Sequence, residues 1–182
     1  MHKLKLQKII LAGLCAAIIF IGISLFRINL PAIVGRPFIH FGNTFAVIAV
    51  MILGFKYGAC AAVLGLGLFD ILNGYAATSW ITMLEAVILA AVTALVFRAV
   101  HYQNNQVGKL YLVSLAAGLI KLVTSWLAGV IESLMVGTHL SVAVINAFLS
   151  LPAAAINSGA TFIIVPLIYL ALEKTILKRM RL

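Results

Sequence analysis

Residues 37–76 read PFIHFGNTFAVIAVMILGFKYGACAAVLGLGLFDILNGYA. Two apolar runs flank the short GFKYG, and the second ends in the polar residues Asp70, Asn73 and Tyr75. Each run approaches the length that crosses a bilayer as a helix, about 20 mostly apolar residues. Backbone groups in lipid must bond within the protein, so only helices and closed barrels can span it. Unbroken apolar runs without alternation select helices.

The remainder of the chain repeats this pattern. Of 182 residues 64% are hydrophobic and 9% charged, with a mean hydropathy of +1.20, whereas soluble domains carry roughly 25% charge. Cutting at polar and Gly/Pro-rich punctuation yields six apolar segments, at 8–26, 38–54, 58–74, 79–99, 110–136 and 141–172. The expected fold is all-α: an integral membrane bundle of six transmembrane helices forming one domain over residues 1–182. The connections INLPAIVGRP, GFKYG, NGYAATS, HYQNNQVGK and GTHLS are too short to hold a soluble domain. The start, MHKLKLQKIILAGLCAAIIF, has the basic and apolar regions of a signal peptide. No small-residue cleavage site follows Phe26, so it reads as the first span. Cys15 and Cys60 fall inside apolar runs at no metal or redox spacing and read as packing residues.

The formal charge of +9 is concentrated between and beyond the spans, a topological pattern and not a nucleic-acid footprint. Short cytoplasmic loops are enriched in Lys and Arg. One side collects Lys3, Lys5, Lys8, Lys56, Arg98, Lys109, Lys174, Lys178, Arg179 and Arg181; the other has Arg27 and Arg36, and Lys121 lies within a span. Both termini are therefore expected in the cytoplasm, with Asp70, Asn73 and Tyr75 at the outer rim.

No enzyme motif is present. HExxH, GxSxG and an acidic metal cluster are missing, and His2, His40, His101 and His139 fall in different segments. QVGKL at 106–110 lacks the first glycine and the hydroxyl residue of a P-loop, so the chain is not expected to hydrolyse ATP by itself. Neither a cofactor nor a metal is implied.

What remains are polar residues inside spans, which lipid penalises and which therefore mark functional candidates. Lys121, Ser125, Ala128 and Glu132 share one helical face, as do Asn146, Ser150 and Asn157, while Thr82 and Glu85 sit a turn apart. Converging stripes describe a cavity open to the outside, with Glu85, Glu132 and Asn146 in the outer half, Lys121 nearer the midplane and Asn157 too deep to take part. A purely structural role competes with this: Lys121 and Glu132 paired with each other or with neighbours, and the asparagines bonding between helices. Asp70 and Asn73 either touch a ligand or hold the loop that closes over it, and Tyr75 suits a gate. Ala12 and Ala16 form an AxxxA, with Gly13 and Ala17 a neighbouring small pair, spacings that admit close helix approach.

Three stretches, PFIHFGNTFAVIAVMILGFKYGA (37–59), GLGLFDILNGYA (65–76) and the Thr82 region, together with the six-span layout, carry a resemblance. The chain resembles the S components of energy-coupling factor (ECF) transporters, in the riboflavin-transporter-like group that includes members assigned to hydroxymethylpyrimidine or pyridoxine. In one respect it departs: where the group's pattern has Thr followed three residues later by Lys, this chain has Thr82 and Glu85.

The resemblance implies a subunit of the prokaryotic cell membrane that captures a water-soluble vitamin outside. That subunit docks on a transmembrane coupling protein, EcfT, driven by two ATPases, EcfA and EcfA′. It implies a pocket on the outer side, so the expected binding residues are His40, Asn43, Asp70, Asn73, Tyr75, Thr82, Glu85, Lys121, Glu132 and Asn146. His40 and Asn43 would brace the first loop, and Ala12 and Ala16 match the docking surface. Pyridoxine- or hydroxymethylpyrimidine-like compounds, riboflavin and cobalamin all remain open as ligands. The alternative is a stand-alone proton-coupled carrier or channel using Lys121 and Glu132, although no inverted repeat is visible.

Overall fold

The computed structural model describes residues 2–29, 38–103 and 106–177. Arg36 in the first loop, and Lys178, Arg179 and Arg181 in the tail, lie outside the described residues. Five long helices dominate: α1 His2–Ser24, α2 Gly42–Leu72, α3 Ser79–Ala99, α4 Val107–Met135 and α5 Leu140–Leu172. Between α1 and α2, the two-residue strands β1 (Ile28–Asn29) and β2 (Phe38–Ile39) pair antiparallel, Ile28 opposite Ile39 and Asn29 opposite Phe38. A single π turn, Glu173–Leu177, follows α5.

All five helices are long and apolar enough to cross a membrane. Six separate helices are expected from the sequence, and the difference lies in α2, whose 31 residues combine the expected second and third spans. Gly54 interrupts it with φ 77° and ψ 174°, a region essentially confined to glycine. A Cβ on Gly58 would stand 2.5 Å from the Cα of Val50, and one on Gly42 would stand 2.9 Å from the Leu66 side chain. In a continuous helix, residues eight apart are separated by about 12 Å. Both contacts are symmetric about Gly54, so the arms 42–53 and 55–72 fold back antiparallel on each other.

α1 packs on α2, α2 on α3, α3 on α4 and α4 on α5, and α5 also returns to α2. Ile19 and Ile23 of α1 meet Leu66 and Phe69 of α2 in one buried cluster; Val47, Leu110, Val113 and Val165 anchor another. Along α4 and α5 the contact is close because small residues face each other. Cβ atoms on Gly118 and Gly129 would lie 3.2 Å from Ser158 and Ala147, and the Ser158 hydroxyl donates to the Gly118 carbonyl at 3.0 Å. Pro152 and Pro166 sit inside α5 without ending it, as membrane helices tolerate. Leu64, Leu95, Leu119, Ile145, Ile163 and Leu167 point outward and exposed, the surface lipid requires. Cys15 packs against the α1–α2 cluster, as expected, but Cys60 is exposed.

Substitutions at the reversal separate two kinds of strain. Nothing lies within 4 Å of a Cβ on Gly54, so Gly54→Ala tests backbone conformation alone, with an expected loss of about 1–3 kcal/mol. Gly58→Ala drives a methyl into the Val50 backbone and is expected to lower the melting temperature in detergent further, whereas Gly13→Ala, in open space, leaves it unchanged or raised.

Candidate functional site

A cavity of about 660 Å³ opens at the end of the bundle where the β-ribbon, the α2–α3 loop and the end of α4 meet. It is built by every helix. Ile23 of α1, Phe38 of β2, and His40 and Asn43 at the start of α2 form one wall; Leu66 and Asp70 belong to the returning arm. The loop contributes Asn73, Tyr75 and Thr78, α3 contributes Thr82 and Glu85, and α4 and α5 supply faces running from Lys121 to Val136 and from Ser150 to Asn157.

Nine of the ten expected binding residues thus line one cavity: His40, Asn43, Asp70, Asn73, Tyr75, Thr82, Glu85, Lys121 and Glu132. Asn146 is outside the lining; it is half-buried, one turn nearer the start of α5 than Ser150. Asn157, expected to be too deep, is instead on the wall, because the β-ribbon reaches down to it. Its side-chain amide donates to the Phe38 carbonyl at 2.9 Å, and its oxygen accepts the His40 backbone N–H at 2.9 Å. One side chain therefore clamps both polar groups of β2's end to α5. Ser125 and Ser150, members of the polar stripes, also line the cavity; Phe38 and Met135 carried no polar signal that would have found them.

At the centre Lys121 Nζ stands 2.8 Å from Glu85 Oε1, with both side chains about one-seventh exposed (15% and 14%). Ser125 donates a longer bond, 3.4 Å, to the same oxygen. Lys121 therefore pairs with Glu85 and not with Glu132.

His40 is buried, 8% exposed, and its Nδ1 accepts the Gly42 N–H at 3.0 Å, which only the neutral ring can do. Burial, reinforced by the charge of Lys121, pushes its imidazole down to about 3. At the rim, the Asn73 amide donates to the Phe69 carbonyl at 2.8 Å and the Tyr75 N–H to the Asp70 carbonyl at 2.8 Å, so Asn73 closes the turn as well as lining the cavity. Gly74 at φ 86° completes that turn. Tyr75 stacks on Phe69 with centroids 6.4 Å apart, Phe38 stands 5.8 Å from Phe69, and the Arg27 guanidinium covers both phenylalanines. Asp70 is buried, and its carboxylate faces the Thr82 hydroxyl.

A cavity of this volume, beside a short loop and walled by the polar faces of three membrane helices, has the dimensions of small-molecule sites. The family model for the ECF-type riboflavin transporter S component matches residues 3–174. The chain belongs to that family. It is the substrate-binding subunit of an ECF-type transporter, a multi-pass membrane protein and not an enzyme; S components partner with EcfT and the EcfA ATPases. The fold agrees: ThiT from Listeria monocytogenes superposes with a TM-score of 0.68 at 18% identity, over 96% of this chain and 97% of that one. A comparison with curated sequences finds no match.

In this S component α1 turns Ala12 and Ala16 inward. Ala12 is buried in the α1–α2 cluster, and the Ala16 carbonyl lies 2.8 Å from where a Cβ on Gly65 would be. Gly13 and Ala17, one residue on, are exposed.

Two outcomes follow from the site's electrostatics. Removing one partner of the central pair strands a charge, so Lys121→Met and Glu85→Leu are each expected to destabilise by about 3–5 kcal/mol, and the double variant by less than either; melting of the four proteins measures this cycle. The folded pKa of His40 lies below its unfolded value of about 6.5, so the unfolded chain binds the extra proton. The contribution is full above that value and is lost as pH falls toward 3. The melting temperature of the parent should therefore decline between pH 6.5 and 4 more steeply than that of His40→Gln.

Proposed function

We propose that the chain captures a water-soluble vitamin in this cavity from outside the cell and delivers it inward after docking on EcfT with EcfA and EcfA′. The observation that carries the reading is the convergence of nine polar and aromatic residues from α2 and its approach, the α2–α3 loop, α3 and α4 on one cavity, in a member of a family of substrate-binding subunits. The two arms of α2 each cross the membrane, which gives six crossings in a single unit and returns both termini to the cytoplasm. The excess of Lys and Arg on that side supports this orientation. The 660 Å³ volume favours a vitamin of one or two small rings, pyridoxine- or hydroxymethylpyrimidine-like, over cobalamin. Asn146 takes no direct part in binding.

The docking surface is α1. Ala12 and Ala16 hold α1 against α2, and the outward face bearing Gly13 and Ala17 among Ile9, Ile10 and Leu14 meets the coupling protein. Nothing lies within 4 Å of a Cβ on Gly13, so Gly13→Leu is expected to fold and bind vitamin normally while losing uptake. Uptake of labelled vitamins into liposomes, with and without the ATPase module, tests both claims. Transport by the chain alone under a proton gradient would overturn the S-component mechanism in favour of a proton-coupled carrier.

A further inference from the structure

The cavity holds more acid than base. Among the described residues Asp70, Glu85 and Glu132 line it on three helices, against one Lys or Arg side chain in the lining, Lys121. That cation is engaged with Glu85 at 2.8 Å, which leaves two carboxylates over. Asp70 is 6% exposed and faces a neutral hydroxyl, that of Thr82. Glu132 is half-buried, and its carboxylate has no hydrogen-bond or ion-pair partner among the described residues. Asp70, Glu85 and Lys121 all act on Glu132 through space, so the four groups share one electrostatic enclosure.

Among the described residues nothing else nearby supplies the missing charge. His40 is neutral, its Nδ1 occupied as an acceptor. Arg27 is at the rim, 5.8 Å and 5.5 Å from the centroids of the Phe38 and Phe69 rings, and is not part of the lining. A chelated metal does not fit, because no three His, Cys, Asp or Glu side chains among the described residues are grouped to hold one. Carboxylates withdrawn from water need a partner, and here they face an open cavity beside the aromatic surfaces of Phe38 and Tyr75.

We propose that the ligand is cationic: a planar heteroaromatic compound whose protonated or quaternary nitrogen sits between Asp70 and Glu132 while its ring lies against Phe38 and Tyr75. This rests on the vitamin-binding reading of the same cavity and narrows its substrate class. An uncharged compound such as riboflavin would leave both carboxylates uncompensated.

Matched pairs that differ only in charge test it. Calorimetry on the full chain in lipid nanodiscs would compare pyridoxamine with pyridoxine, the aminomethyl with the hydroxymethyl form of 4-amino-2-methylpyrimidine, and riboflavin. The ammonium member of at least one pair should bind about tenfold tighter or more than its alcohol. Glu132→Gln and Asp70→Asn should each shrink that ratio, the ammonium compound losing more affinity than its matched alcohol, a differential that misfolding, which weakens both alike, does not produce. An alcohol or riboflavin binding as tightly as the cations, or no cation binding at all, overturns the charge assignment. A neutral vitamin taken up only with the ATPase module would overturn the charge alone and leave the subunit reading standing.

Discussion

At Gly54 the backbone adopts φ 77° and ψ 174°, which an L side chain resists, and the reversal this permits decides where every polar residue of α2 ends up. A straight helix of 31 residues would be about 46 Å long, placing Asn43 and Asp70 at opposite ends. Folded at Gly54, the same segment returns Asp70 to the level of His40 and Asn43, and all three line one cavity. The hairpin also needs small residues where its arms touch, which is why Gly58 meets Val50 almost backbone to backbone. Conformation and contact are thus set by two glycines four residues apart, and the wall of the site depends on both.

The second constraint is that lipid offers no hydrogen bonds. Polar groups placed within the bundle must find partners inside it, and those partners also fix the site's shape. Asn157 uses its amide on both sides of β2, Thr44 and Thr161 share a bond of 2.9 Å between α2 and α5, and Ser114 reaches back to carbonyls of its own helix. Lys121 and Glu85 join α4 to α3 in the same way. Side chains that could be read as structural are therefore also the ones that hold the cavity open. Asn73 shows the overlap most directly: its amide ends α2, and the residue still faces the cavity.

Much of this was legible in the sequence because membrane helices announce themselves by apolar length and the site by its exceptions. All six expected segment positions correspond closely to helices or helix arms, and polar spacing of three and four brought Lys121, Ser125 and Glu132 to one face. Helical spacing could not supply the pairing across helices. Glu132 shares the face of Lys121 but lies eleven residues along it, about 16 Å and out of reach, so the partner had to come from another helix, and only the rotation of α3 against α4 selects Glu85. Depth was misjudged at Asn157 for a related reason. Counting rise along α5 ignores the first loop, whose strand descends into the bundle to meet that side chain. Phe38 was invisible to a search for polar exceptions because its contribution to the wall is apolar.

The register of α1 carries this point to its end. Ala12 and Ala16 and the pair Gly13 and Ala17 are the same motif displaced by one residue, which on an α-helix is a rotation of about 100°. Composition cannot tell them apart. Ile19 and Ile23, both nearly fully buried against α2, fix the rotation and draw Ala12 and Ala16 into the intramolecular contact, where Gly65 leaves room for the Ala16 carbonyl. The other pair is left outward, flanked by large exposed aliphatic side chains. One small pair lets α1 approach α2 closely, and the other, staggered by one residue, leaves a groove on the outward face between the exposed Ile9, Ile10 and Leu14.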